Sequence, residues 1–174
     1  MTRQQLLAAS IRESRMLLMR YAKGFDDTNH VVQPPNLPNH FAWSMGHMAL
    51  TMHRIAERLD GKPLPEADFV KGDGGGGNAQ QFDTESVSMN SVPTSDSKLY
   101  PRAAQCTAIF SNAIDRCAAA FEAATDVQLD APTKWGQVEV PTWSTGVRMV
   151  FHNGLHTGQF ADLRRALGMG SIFA

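Results

Sequence analysis

A chain of 174 residues fits one domain of ordinary size, residues 1–174, and can bury a substantial core. Its 16 Lys and Arg against 17 Asp and Glu leave a net charge of −1, which removes any electrostatic reason to expect nucleic acid or an anionic membrane as partner. No stretch approaches about 20 consecutive apolar residues, and charges interrupt the N-terminal apolar pattern, so neither a membrane span nor a signal peptide is expected and the chain reads as cytoplasmic.

Residues 2 to about 22 open on Thr2 and Gln5 at capping-box spacing and bring Leu7, Ile11, Ser14, Leu18 and Tyr21 onto one face, which predicts the first helix. The stretch QPPNLP at 33–38 ends the connection that follows. A second helix is predicted from Pro38 to Asp60, with Gly61 as its stop signal and Phe41, Met45, Met48, Met52, Ile55 and Leu59 as an apolar stripe. The polar segment 62–97 contains KGDGGGGNAQQ; no Gly-Lys-Ser/Thr follows the glycines and no helix opens on them, so it reads as an irregular linker rather than a phosphate loop.

Residues 98 to about 124 carry Leu99, Ala103, Cys106, Phe110, Ile114, Cys117, Phe121 and Ala124 at helical spacing, with Pro101 setting where regular helix begins. The two cysteines lie about 16 Å apart along such a helix, too far for a disulfide, and read as reduced core residues. In APTKWGQVEVPTW at 131–143, QVEV is enough for a short strand but not for a sheet. Ser144 is placed to cap a last helix that runs to Leu167, with Gly168 behind it. Four helices and one long connection predict an all-α fold, a four-helix bundle with a crossover.

The last helix carries the chemistry. His152 and His156 stand at i and i+4, about 6 Å apart at Cβ, where both lone pairs can converge on one cation. At 100° per residue they share an inward side with Thr145, Met149, Gln159 and Leu163, while Thr157, Arg164 and Arg165 point away. Two imidazoles buried together need partners, and a metal with a further ligand supplies them. His47, at the edge of the second helix's stripe, offers that ligand; three imidazoles leave the fourth position open, the pattern of a catalytic metal site.

Other residues admit plainer readings. Trp43, one turn before His47, is a pocket wall or simply core, and Gly46 lets a neighbour approach beside His47. His40 lies roughly 10 Å from His47 and reads as a rim or surface residue. His30 and His53 default to solvated positions. Gln159 could hold a ligand by hydrogen bond or only pack, and Arg148 could meet an anionic substrate or stay solvated. Gly154 and Gly158 allow close approach of a helix within the bundle or across a dimer.

With NHFAWSMGHMA on the second helix and HNGLHTGQFADLRRALG on the last, the chain resembles the DinB/YfiT family of damage-inducible-like bundle proteins, which carry Trp-x-x-Gly-His and a His-x-x-x-His followed by Gln at these places. QPP before the second helix and LDGKP after it are similar too, whereas 62–97 is not diagnostic. The resemblance implies an up-down-down-up four-helix bundle, paired as a homodimer, with one divalent metal per chain, zinc or nickel first, held by His47, His152 and His156. It further implies either a transferase or isomerase that uses a low-molecular-weight thiol on a small-molecule substrate, or a hydrolase. No Asp or Glu shares the histidine face, Asp162 being turned off it, which favours thiol activation unless a loop brings Asp83, Glu85 or Glu139 to the pocket. A noncatalytic, stress-associated metal-binding bundle is the reading from a different class.

Overall fold

A computed structural model of the chain describes residues 1–72 and 74–173. Its main elements are helices α1 (Arg3–Ala22), α2 (Phe41–Asp60), α3 (Ala103–Ala123), the short α4 (Asp126–Asp130) and α5 (Thr142–Ala166). Two small strand pairs join them: β1 (Phe69–Val70) beside β2 (Phe82–Asp83), parallel, and β3 (Pro132–Trp135) with β4 (Val138–Pro141), an antiparallel hairpin. The protein is mostly helical.

The helix ends follow local chemistry. Thr2 accepts from the Gln5 amide while the Gln5 side chain accepts from the Thr2 amide, the expected capping box. α2 starts three residues later than Pro38 suggested, because His40 caps it: its Nδ1 accepts from the Trp43 amide at 3.2 Å. Gly61 ends α2 in the left-handed region (φ 69°), which costs glycine nothing. Leu99 belongs to a separate 3₁₀ turn, Ser97–Leu99, and α3 begins only after Pro101, with its first amide at Ala103 held by the Asp27 carboxylate. Ser144 is not the cap of α5. The helix already opens at Thr142 behind Pro141, and Ser144 sits inside its first turn, accepting from Arg148 Nε. The short α4, with a capping box of its own at Thr125 and Gln128, has no apolar period long enough to be read from sequence.

The long helices pack through one apolar core that includes Ile11 and Leu18 of α1, Met45, Met48 and Met52 of α2, Cys106, Phe110, Ile114 and Cys117 of α3, and Met149 and Phe160 of α5. Both cysteines are free and buried, and burial pushes the Cys117 thiol up to about 12. Ion pairs of Arg12 with Glu122 and Arg15 with Asp115 run α1 against α3 in opposite directions, whereas Asn153 to Ser14 and Arg164 to Tyr21 align α1 with α5. α2 follows α3, with His40 against Tyr100 at one end and Asp60 against Arg116 at the other. It opposes α5, where Phe41 meets Phe160 and Met52 meets Asn153.

The glycine-rich connection is irregular, as expected, but it is organised around one buried carboxylate. Asp83 accepts from the amides of Gly74 and Gly76, the amide of Glu85 and the hydroxyl of Ser86, all at 3.0–3.1 Å. The segment is then pressed onto α2 at Gly46, where a Cβ would stand 2.7–2.9 Å from the Phe82 ring and Val87. Only glycine fits. The same contact brings the Val87 backbone to His47.

Candidate metal centre

The three expected histidines meet. His47 from α2 and His152 and His156 from α5 place one nitrogen each within 4.8 Å of one another, and no other such group of histidine, cysteine or carboxylate donors occurs among the described residues. His47 Nε2 and His152 Nε2 face each other at 3.2 Å. Two nitrogens on a tetrahedral ion with bonds of about 2.0–2.1 Å stand about 3.3–3.4 Å apart, so this spacing suits a shared cation.

One nitrogen of the group is committed to the protein. His47 Nδ1 lies 2.9 Å from the Val87 carbonyl, which can only accept, so Nδ1 carries the proton and the Nε2 lone pair points at His152. His152 Nδ1 and His156 Nδ1 are buried with no hydrogen-bond partner. Burial is the main cause that lowers the pKa of all three imidazoles, with their mutual charge added for the α5 pair: His152 falls to about 4 and His156 to about 3, while Arg54 pushes His47 further down. All three are therefore neutral at pH 7, the ligating form.

The surroundings are aromatic and basic. The Trp43 ring stacks on His47 at 4.7 Å and 10°, and its Nε1–H donates to Ser91, so it is both core and wall of the site. Trp135, on the β3–β4 hairpin, meets His152 edge to face at 6.3 Å. Arg148 lies over Trp135, 5.9 Å from the ring centre, rather than in the cavity. Gln159 sits beside His156, where it favours the charged form, and its Oε1 is buried without a partner.

A cavity of about 330 Å³ opens on His47 and His152, lined also by Thr51, Arg54, Ile55, Arg58, Met89, Lys134, Trp135 and Gly136. Arg54 and Arg58 were overlooked in the sequence, although they follow His47 by seven and eleven residues on the same helix face. None of the three loop carboxylates reaches this cavity: Asp83 is spent on the glycine segment, Glu85 borders a different cleft, and Glu139 lies on the exposed hairpin edge.

Four residues depart from their expected places. His40 and His53 are buried, at 0% and 1% exposure, and so is His30; none is a solvated or rim residue. His40 is held between the Trp43 amide and the Thr94 carbonyl, and burial lowers its pKa to about 4. His53 takes a hydrogen bond from Arg116 and faces Asp68 at 3.5 Å. Thr157, expected to point away, is buried and bonds the Asn153 carbonyl.

The profile of the DinB superfamily matches residues 10–160 of the chain. A crystal structure described as the conserved protein of locus from Enterococcus faecalis superposes with a TM-score of 0.69 at 14% identity, covering 95% of this chain and 97% of that one. No curated protein matches the chain in sequence. Among the described residues no helix is long and apolar enough to cross a membrane.

Proposed function

Because the chain belongs to the DinB superfamily, we propose that it is a metal-dependent enzyme that activates a small thiol for transfer or isomerisation at His47, His152 and His156. The observation that carries this reading is that three neutral imidazoles each bring a nitrogen within 4.8 Å of the others, two of them 3.2 Å apart, beside an open cavity. A divalent ion there, zinc or nickel, supplies Lewis acidity that makes a bound thiol reactive at neutral pH. The Val87 carbonyl fixes the tautomer of His47, and the rings of Trp43 and Trp135 pack against His47 and His152. No carboxylate lines the cavity to take a proton from water, which favours a thiol over hydrolysis. Gln159 is placed to orient a ligand near His156, and Arg148 to steady Trp135.

The same reading treats the chain as one cytoplasmic domain, a four-helix bundle of up-down-down-up type with the segment between α2 and α3 as crossover; the helix directions given by the ion pairs and ring contacts support it. Pairing into a homodimer would cover the exposed row Trp143, Val147, Phe151 and Leu155 of α5, beside which Gly154 and Gly158 leave open space.

The test is incubation of the zinc- or nickel-loaded protein with a low-molecular-weight thiol and an alkyl halide. Formation of the S–C bond with release of halide, faster than without protein and lost in His152→Ala, supports the reading. Turnover of esters or amides without thiol would instead favour hydrolysis, and metal binding with neither activity would favour a noncatalytic bundle.

A further inference from the structure

The cavity beside the histidines carries a charge that the chain as a whole does not. The net charge is −1, yet the residues lining the cavity include Arg54, Arg58 and Lys134 and no carboxylate. Elsewhere Arg3, Arg12, Arg15, Arg116 and Arg165 each face an aspartate or glutamate. Arg58 is spent on structure, donating to Thr133 Oγ1 at 3.2 Å and the Lys134 carbonyl at 2.5 Å, and so ties the β3–β4 hairpin to α2. The side chains of Arg54 and Lys134 have no hydrogen-bond or ion-pair partner among the described residues, Glu139 standing across the hairpin from Lys134, and the two residues border the cavity from α2 and from the hairpin. Arg54 also borders a neighbouring cleft with Glu57, Glu66 and Glu85, none of which pairs with it.

We propose that the molecule acted on at this site carries an anionic group, a carboxylate or a phosphate, held by Arg54 and Lys134 while its reacting end reaches the three histidines. The reacting end rests on the metal-site reading; the anion subsite does not. A guanidinium from α2 and an ammonium from the hairpin, on residues that border one small cavity, match an anion's acceptor oxygens, and apolar Ile55, Met89 and Trp135 leave room for a short carbon skeleton beside the histidines. Basic side chains left unpaired at a cavity mouth also draw anions towards it.

The experiment titrates succinate, inorganic phosphate and neutral succinamide into metal-free and zinc-loaded protein, read by calorimetry and by tryptophan emission from Trp135 and Trp43. Saturable binding of succinate or phosphate by the metal-free protein, weakened by salt, with succinamide at least about tenfold weaker, is expected. The tighter anion of the two identifies the group as carboxylate or phosphate. Arg54→Gln and Lys134→Gln should each weaken it by about tenfold and leave the zinc stoichiometry at the parent value. The proposal is overturned if neither anion binds, if succinamide binds as well as succinate, or if both variants bind like the parent. Failure of the parent to take up zinc would overturn the metal reading alone, since the metal-free titration still decides the anion subsite.

Discussion

Two groups of histidines, each with a member on α2, differ in who satisfies them. His40 is closed by the protein, between the Trp43 amide and the Thr94 carbonyl, whereas His53 accepts from Arg116 and its Nε2 faces the Asp68 carboxylate at 3.5 Å without a hydrogen bond. His47, packed between them in sequence, has one nitrogen closed by Val87 and the other turned towards two imidazoles of α5, whose Nδ1 atoms have no partner. Burial does not separate the two sets, because desolvation lowers the pKa of His40 as it does those of the cluster. Nor does a missing partner by itself make a site: both nitrogens of His30 are buried without one, and His30 belongs to no group of three donors among the described residues. What marks a ligand site is convergence of lone pairs that nothing in the chain fills.

Metal stoichiometry separates the two groups of histidines by the widest margin. His152→Ala and His156→Ala should each reduce bound zinc from about one per chain to near none by elemental analysis, whereas His53→Ala should keep it. Retention of zinc in both α5 variants would show that the cluster is only another packed histidine group.

The next effect is on stability against pH in the metal-free protein. Cluster histidines with folded pKa values below the ordinary 6.5 stay neutral in the native state while the unfolded chain takes up protons. Stability is therefore full above about pH 6.5 and falls as pH drops from there towards about 4, by up to about 1.4 kcal/mol per pH unit for each such histidine. Denaturant midpoints across that window measure it, and His156→Ala should flatten the dependence.

Smaller effects test the supports of each set. Gly46→Ala should cost about 1–3 kcal/mol in chemical denaturation, because the new methyl group pushes Phe82 and Val87 off α2; it should also weaken zinc binding by moving the carbonyl that orients His47. His40→Ala removes a helix cap and should cost about 0.5–2 kcal/mol with zinc binding unchanged.

Much of the site was legible because helical periodicity is a local property. Spacing of four residues puts His152 and His156 on one face, and the apolar stripe of α2 places His47 at its edge, so all three histidines of the cluster are legible from periodicity. By the same arithmetic Arg54 and Arg58, seven and eleven residues past His47, lie on its face. The family profile extends over 10–160, consistent with the motifs that prompted the resemblance.

Periodicity could not say which carbonyl, ring or carboxylate from a distant segment meets a given face. The sequence by itself determined the long helices, their apolar sides and the spacing of the histidines, since these follow from backbone geometry and side-chain solubility. Tertiary structure alone decided the rest. It sent Asp83 into the glycine segment, brought Val87 to His47 over a residue with no side chain, set His40 and His53 against partners far along the chain, and brought Arg54 and Lys134 to the border of one cavity. Each of these contacts joins residues separated by irregular backbone, whose path is fixed by packing and hydrogen-bond satisfaction rather than by any repeat that a sequence can display.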